Sequence, residues 1–172
     1  VVCRRQRQMC IRDRYSIMKL SKPPAISLSS KIAELSKLNI LSLVLVATFL
    51  GFYLGSNGEM EYNKLLLTLL GTALTAAGSG SLNHYLERDA DKKMDRTRNR
   101  PLPSGTLTPL FAVLYGMALV VVGSVTLAYF VNLLTGFLSL LTAFLYIVVY
   151  TPLKKITWLN TSIGSIPGAI PI

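Results

Sequence analysis

The sequence predicts an all-α, polytopic transmembrane helix bundle. Its 172 residues are 51% hydrophobic and only 15% charged, and its mean hydropathy is +0.48. The charged residues are clustered, which leaves windows without any charge at residues 38–58, 65–86 and 101–153. A soluble protein with buried helices rarely leaves 53 consecutive residues uncharged, because charged side chains make up about a quarter of a typical soluble domain. That alternative is therefore disfavoured.

The uncharged windows predict four membrane spans. A helix needs about 20 apolar residues to cross a bilayer, so each of the first two windows fits one span. The third would reach roughly 80 Å as a single helix, at about 1.5 Å per residue. It must therefore fold back, and AYFVN at 128–132 is the predicted reversal. The predicted spans are residues 38–56, 64–86, 107–128 and 132–150, and a fifth is expected to begin near Trp158.

The first seventeen residues differ in character from the rest of the chain. They contain five arginines, one aspartate and both cysteines, without apolar periodicity, and MCIRDR resembles a translated sequencing-adapter fragment. We interpret residues 1–17 as non-native, with Met18 as the natural start and residues 18–37 as a cytoplasmic segment. The protein would then lack thiol chemistry. The alternative, a basic arm that binds nucleic acid, is disfavoured, and no nucleic-acid partner is expected.

The remaining lysines and arginines predict the orientation of the chain. Twelve of these thirteen bases lie before the first span, in the 88–100 segment, or at Lys154 and Lys155, and only Lys64 lies in another connection. By the positive-inside rule, the amino terminus, the 88–105 loop and the 151–157 loop are predicted to be cytoplasmic. The two loops could then contribute to one site.

The 83–105 segment, NHYLERDADKKMDRTRNRPLPSG, carries charge on ten of its 23 residues. If the second span continues as a helix through Asp91, then Asn83, Glu87, Asp91 and Asp95 follow a four-residue step, which places successive members on one face. Carboxylates at the end of a membrane helix are costly without a partner. Mg²⁺ is a suitable partner, since it takes oxygen ligands from one or two carboxylates together with substrate phosphate oxygens.

Basic residues of the same segment suit the phosphate. Arg88, Lys93, Arg96 and Arg100 lie close by, and guanidinium groups pair two-to-two with phosphate oxygens. The pattern therefore favours a site for a metal and the diphosphate of a lipid. The alternative is a solvated loop with ordinary surface ion pairs, such as one between Asp89 and Lys93. Residue chemistry alone leaves these two interpretations evenly matched.

The motif resembles the first aspartate-rich motif of the intramembrane aromatic prenyltransferases, the UbiA superfamily. The shared pattern is Asn-x-x-x-Asp-x-x-x-Asp followed by Arg-Thr-x-x-Arg-Pro-Leu, and YTPLKKITWLNTSIGSIPGAIPI is similar to the next loop and helix of that family. The resemblance covers about Lys37 to Ile172 and implies a bundle of about nine helices that uses Mg²⁺ and a prenyl diphosphate. Within the family, ERDADKKMDRTRNRPLPSG is most similar to the branch that transfers a farnesyl group to haem.

The resemblance also implies substrates and residue roles. Farnesyl diphosphate would be the donor, and the vinyl group of haem B would be the acceptor, with addition of water. Asn83, Glu87 and Asp91 would hold Mg²⁺ and form the catalytic set. The diphosphate would be bound by Arg88, Arg96, Arg100 and Lys155, with Lys154 a weaker candidate. The expected location is the bacterial inner membrane, with haem A synthase or oxidase-assembly proteins as possible partners.

The sequence departs from the family pattern in two ways. Glu87 stands where the broader family has aspartate, although it remains a carboxylate. The family also has a second aspartate-rich motif, whereas no acidic residue follows Asp95 here. The chain is therefore expected to be a fragment, a partial membrane domain over residues 38–172, and inactive by itself.

Two other functions and two local interpretations accompany this prediction. A prenyltransferase acting on 4-hydroxybenzoate is one alternative, and a non-enzymatic transporter or scaffold is the other. His84, the only histidine, is interpreted as an interfacial residue rather than a haem ligand. The small-residue run at 71–81, together with Gly116 and Gly123, predicts close helix packing.

Overall fold

The computed structural model describes residues 35–36, 38–56, 59–97, 99–153, 164–165 and 168–169. Its helices are α1 (Leu38–Gly55), α2 (Tyr62–Asp91), α3 (Pro109–Phe130), α4 (Leu133–Phe144), a π-helix (Leu145–Tyr150) and α5 (Thr151–Leu153). No strand occurs in this part of the chain. The all-α prediction is confirmed, and a helix lies at each of the four predicted spans. The predicted fifth span falls mostly on residues outside those described.

Three of the helical segments are long and apolar enough to cross a membrane, namely Tyr62–Asp91, Pro109–Phe130 and Leu133–Leu153. The apolar helix at Ile40–Gly55 is shorter. Large side chains such as Leu43, Leu54 and Leu133 are more than 70% exposed, as expected where lipid rather than water surrounds the helices. The protein is therefore a polytopic membrane protein.

Helices α2 and α3 pack closely through glycines. A Cβ atom on Gly78 would lie 2.6 Å from the Gly116 carbonyl oxygen, and one on Gly123 would lie 2.7 Å from the Gly71 carbonyl oxygen. Side chains at these positions would force the two backbones apart. The packing predicted from the small-residue run is thus confirmed, since close approach of membrane helices requires residues without bulk.

The connection between α3 and α4 consists of Val131 and Asn132. The Asn132 side-chain oxygen accepts a hydrogen bond from the Leu134 backbone N–H at 3.1 Å, which caps the new helix. The predicted reversal at 128–132 is therefore correct, although α3 continues to Phe130. At its other end α3 begins after Thr108, whose hydroxyl accepts from the Phe111 N–H at 3.3 Å.

The segment after α4 departs from α-helical geometry. Residues Leu145–Tyr150 form a π-helix, and the Thr151 N–H donates to the Tyr146 carbonyl oxygen, five residues earlier. Pro152 follows directly. A proline cannot donate to the carbonyl four residues before it, and its ring clashes with that carbonyl in a regular helix. The wider turn relieves this conflict and extends the helical segment beyond the predicted end at residue 150.

The loop between α2 and α3 folds back onto the ends of both helices. Its Leu102 and Leu107 are buried with Leu35 and with Ala112 of α3, and Tyr85 of α2 packs against them. The Ser81 hydroxyl of α2 donates to the Ala112 carbonyl oxygen at 2.9 Å. The charged motif is therefore held in place by an apolar cluster beneath it.

Candidate functional site

Helix α2 continues to Asp91, and the loop begins at Lys92. The prediction that Asn83, Glu87 and Asp91 share one helix face assumed this continuation. Asn83, Glu87 and Asp91, called here the polar strip, are 2%, 9% and 5% exposed. The Asn83 amide nitrogen donates to Glu87 Oε2 at 3.1 Å. The strip thus lies on a buried face of α2 and not on a solvated surface. Asp95, by contrast, is exposed beyond the helix.

Asp91 is bound by the loop that follows it. Arg100 Nη1 lies 2.8 Å from Asp91 Oδ2, and the Thr97 hydroxyl donates to the Asp91 backbone carbonyl at 2.9 Å. Successive turns bring these residues back, since the Thr97 N–H bonds to the Met94 carbonyl and the Arg100 N–H to the Thr97 carbonyl. The loop therefore places a guanidinium group beside the last carboxylate of the strip.

The first member of the strip contacts a residue that sequence analysis did not select. The Thr151 hydroxyl donates to Asn83 Oδ1 at 2.9 Å, and Thr151 is 1% exposed. The contact brings the start of the predicted 151–157 loop to the polar strip. Thr151 and the charged motif therefore lie at the same end of the bundle, whereas residues 154–157 of that loop lie outside the described residues. Pro152 was the available indication that the helix is irregular at this point.

The other predicted phosphate ligands are placed differently from Arg100. The Arg88 guanidinium lies 4.7 Å from the centre of the Tyr85 ring, and its Nε is 3.7 Å from Asp89 Oδ1. Arg96 is exposed on the loop. Lys154 and Lys155 lie outside the described residues. Among the described residues, Arg100 is the one predicted phosphate ligand that contacts the polar strip.

Two local interpretations from the sequence are wrong. Asp89 was expected to pair with Lys93. Its Oδ1 instead lies 3.8 Å from Lys92 Nζ and 3.7 Å from Arg88 Nε, and no ion pair with Lys93 occurs among the described residues. His84 is 2% exposed and is not an interfacial side chain. The segment around Leu35 covers this end of α2, where a Cβ on Gly80 would lie 3.3 Å from the Leu35 carbonyl oxygen. The sequence placed His84 near the end of a membrane helix but did not indicate that the segment around Leu35 packs over it.

A cavity of about 1230 Å³ lies along α2, and Asn83, Glu87 and Asp91 are not among its lining residues. It extends from Glu61 and Lys64 at the far end of α2 to Ser79 and Gly80, one turn before Asn83. Tyr146 and Tyr150 of the π-helix line it at the strip end. Its other walls carry aliphatic side chains interspersed with threonine and serine hydroxyls. The length and the lining of the cavity are suited to a long, mostly apolar molecule.

The donor chemistry of the strip fits Mg²⁺ only together with further ligands. In the part of the chain that is described, no group of three or more His, Cys, Asp or Glu side chains is placed to hold a metal. The strip offers two carboxylates and one amide oxygen. Mg²⁺ is commonly bound by one or two carboxylates together with phosphate oxygens and water, rather than by an all-protein cage. The residues present fit such a shared site.

Comparison with known proteins gives one family and many relatives. Residues 44–172 match the model of the UbiA prenyltransferase family. The chain is 45% identical over 138 residues to the protein named protoheme IX farnesyltransferase in Aquifex aeolicus, which covers 80% of this chain and 47% of that protein. The protein of the same name in Salinibacter ruber is 48% identical over 137 residues, covering 80% of this chain and 48% of that protein.

A human relative extends the similarity beyond bacteria. The protein named mitochondrial protoheme IX farnesyltransferase is 40% identical over 158 residues, covering 92% of this chain and 35% of that protein. The chain thus spans about half the length, or less, of the curated relatives it matches. No solved structure matches it.

Proposed function

The chain belongs to the UbiA prenyltransferase family, and on that premise we propose that the whole protein carrying it transfers a farnesyl group to haem. Farnesyl diphosphate is the donor and the vinyl group of haem B the acceptor. Water is added, pyrophosphate leaves, and haem O is the product. The names of the relatives support this acceptor, and the long motif at 83–105 supports the donor. The observation that carries the proposal is the buried polar strip with Arg100 beside it.

The strip suits the first chemical step, which is loss of pyrophosphate from the allylic carbon. Asn83, Glu87 and Asp91 are the residues that would hold Mg²⁺, whose positive charge would offset the charge developing on the leaving pyrophosphate. Arg100 contributes a guanidinium fork that matches two phosphate oxygens. Arg88, Arg96, Lys154 and Lys155 are proposed as further diphosphate ligands. Preorganised charges in a buried site act without reorganising during the reaction, which makes them effective.

The cavity beside the strip suits the remainder of the donor. A farnesyl chain is apolar and about as long as several helical turns, and the cavity extends along α2 from Ser79 and Gly80, about one turn before Asn83, towards Lys64. The protein would lie in the bacterial inner membrane with its amino terminus in the cytoplasm. Haem A synthase and oxidase-assembly proteins are the proposed partners.

The acceptor can be tested directly. The whole protein in membranes is incubated with labelled farnesyl diphosphate and either haem B or 4-hydroxybenzoate. We expect label in haem only. Exclusive labelling of 4-hydroxybenzoate would replace this proposal with the related aromatic prenyltransferase activity.

The participation of the strip is tested by isosteric substitution. We expect Glu87→Gln and Asp91→Asn to lower turnover by roughly 10²- to 10³-fold, a loss comparable to removing one electrostatic contact to a transition state. Asp89→Asn removes an exposed carboxylate of the same helix, 73% exposed, and should leave turnover within about twofold. Pyrophosphate release is measured at saturating Mg²⁺. Unchanged rates in both strip variants would contradict a role for the strip, whereas absence of Mg²⁺-dependent pyrophosphate release in the parent would favour a non-enzymatic transporter or scaffold.

A further inference from the structure

We propose that Thr151 is a positioning residue that fixes the orientation of the Asn83 amide in the polar strip. The proposal rests on the proposed function of the strip and adds a residue to it. Thr151 lies 68 residues away from Asn83 in the chain, and its hydroxyl donates to Asn83 Oδ1 at 2.9 Å. Both side chains are almost fully buried, at 1% and 2% exposure.

The orientation of the Asn83 amide explains why a hydrogen-bond donor is needed next to its oxygen. An ionised carboxylate only accepts hydrogen bonds, so the amide nitrogen of Asn83, not its oxygen, faces Glu87 Oε2 at 3.1 Å. The amide oxygen then faces Thr151. A hydroxyl that donates there stabilises this orientation, and the second lone pair of the amide oxygen stays available for a cation.

The hydroxyl is itself held in place. Thr151 Oγ1 lies 2.8 Å from the Tyr146 carbonyl oxygen, which also accepts from the Thr151 backbone N–H. The single hydroxyl proton is thus shared between two acceptors in a three-centre arrangement. Both acceptors lie on defined elements, α2 and the π-helix, so the hydroxyl has little freedom to turn away.

The π-helix explains how Thr151 comes to face α2. Thr151 lies eight residues after the buried Ala143. In an uninterrupted α-helix, at about 100° per residue, it would lie roughly 80° away from Ala143 around the helix axis. A π-turn holds one residue more and rotates the residues after it back by roughly one such step. Thr151 then lies within roughly 20° of the face that carries Ala143, which is 3% exposed.

The expected consequence of losing the hydroxyl is a weaker cation site. Without a donor at its oxygen, the Asn83 amide is held only by its contact with Glu87, so the inverted orientation, which presents the NH₂ group and repels a cation, becomes more accessible. Partners that orient a ligand in this way typically change metal affinity by about 10- to 100-fold when removed. The reaction chemistry at saturating metal should change far less, because the carboxylates and Arg100 remain.

The test compares Thr151→Val, which keeps the shape and removes the hydroxyl, with Thr151→Ser, which keeps the hydroxyl. Thr126→Val is the control, since the Thr126 hydroxyl donates to the Val122 carbonyl of its own helix at 2.8 Å and bonds to no other helix among the described residues. In the whole protein, Mn²⁺ binding with inorganic pyrophosphate is followed by electron paramagnetic resonance. We expect Thr151→Val to weaken Mn²⁺ binding by about 10- to 100-fold, with Thr151→Ser and Thr126→Val within about threefold of the parent.

Two further measurements separate this inference from the proposed function. The Mg²⁺ concentration for half-maximal turnover should rise in Thr151→Val, while turnover at saturating Mg²⁺ stays within about threefold. Thermal unfolding in detergent without metal should show that Thr151→Val and Asn83→Ala are not additive.

The outcomes are distinguishable. Equal Mn²⁺ affinity in the parent and Thr151→Val, or a Thr151→Ser variant as weak as Thr151→Val, overturns the positioning role and leaves the proposed function standing. Absence of pyrophosphate-dependent Mn²⁺ binding in the parent overturns the proposed function, while non-additive unfolding would still support the contact between Thr151 and Asn83. Additive unfolding contradicts the contact itself.

Discussion

At the scale of single residues, the site depends on which cation of the motif lies close to the strip. Arg100 is 27% exposed and contacts Asp91 Oδ2 at 2.8 Å, whereas Lys92 is 56% exposed and lies 3.8 Å from Asp89. Both residues carry one positive charge in the same loop. Partial burial makes the charge of Arg100 more effective, because solvent screens an exposed cation.

Replacement of Arg100 should therefore weaken donor binding. We expect Arg100→Gln to raise the KM for farnesyl diphosphate by tenfold or more, since a hydrogen bond to a charged group contributes about 1.5–3 kcal/mol. Arg100→Lys should give a smaller loss, because the charge remains while the fork is lost. Steady-state kinetics of the whole protein measure both effects.

The control for this prediction is Lys92→Gln, which removes the same charge from the loop. Its KM is expected to stay within about twofold of the parent value, as for other exposed pairs. Equal increases in KM for Arg100→Gln and Lys92→Gln would indicate a general effect of loop charge and would contradict a specific role for Arg100.

At the scale of elements, the sequence predicted the helices more completely than their contacts. Hydropathy located a helix at each of the four predicted spans, and three of the helical segments are long and apolar enough to cross a membrane. The glycines of α2 and α3 indicated close packing. The contact between Thr151 and Asn83 was not predictable in the same way. It joins residues 68 positions apart and depends on a π-helix that shifts the register of one helix against another. Pro152 indicated an irregularity but not its direction.

The packing of α2 against α3 leads to a stability prediction. We expect Gly78→Ala to lower the free energy of unfolding by about 1–3 kcal/mol, the usual cost of forcing an extra methyl group into a packed core. A Cβ there would lie 2.6 Å from the Gly116 carbonyl oxygen, which belongs to backbone and cannot rotate away. Unfolding in detergent, followed by circular dichroism, measures the change.

Gly55→Ala serves as the matched control. A Cβ on Gly55 would meet no atom within 4 Å, and alanine has the higher helix propensity. Its stability should equal or exceed that of the parent. If Gly78→Ala were as stable as Gly55→Ala, the close approach of α2 and α3 would be contradicted.

At the scale of the whole molecule, the residues of the candidate site lie together at one end of the helix bundle. The polar strip ends α2, Arg100 lies in the loop after it, and Thr151 reaches the strip from the end of the last described span. The ion pair between Lys64 and Glu61, at 2.7 Å, marks the opposite end of α2. Twelve of the thirteen bases after residue 17 lie before the first span, in the loop after the strip, or just beyond Thr151. From the positive-inside rule we expect that end to lie in the cytoplasm.

Orientation can be measured by labelling single cysteines from one side of the membrane. With Cys3 and Cys10 replaced by serine, Met94→Cys reports the loop after the strip, where Met94 is 56% exposed. Glu59→Cys reports the connection before α2, and Glu59 is also exposed. We expect a membrane-impermeant maleimide to label Glu59→Cys in spheroplasts and Met94→Cys in inside-out vesicles only.

The reverse pattern would contradict the cytoplasmic placement of the site. It would not disturb the contacts within the bundle, because these hold in either orientation. It would change the proposed chemistry, since a diphosphate bound by Arg100 and the strip would then have to arrive from outside the cell. Labelling of both positions from one side would contradict the crossing of the membrane by α2, whose 30 residues correspond to roughly 45 Å.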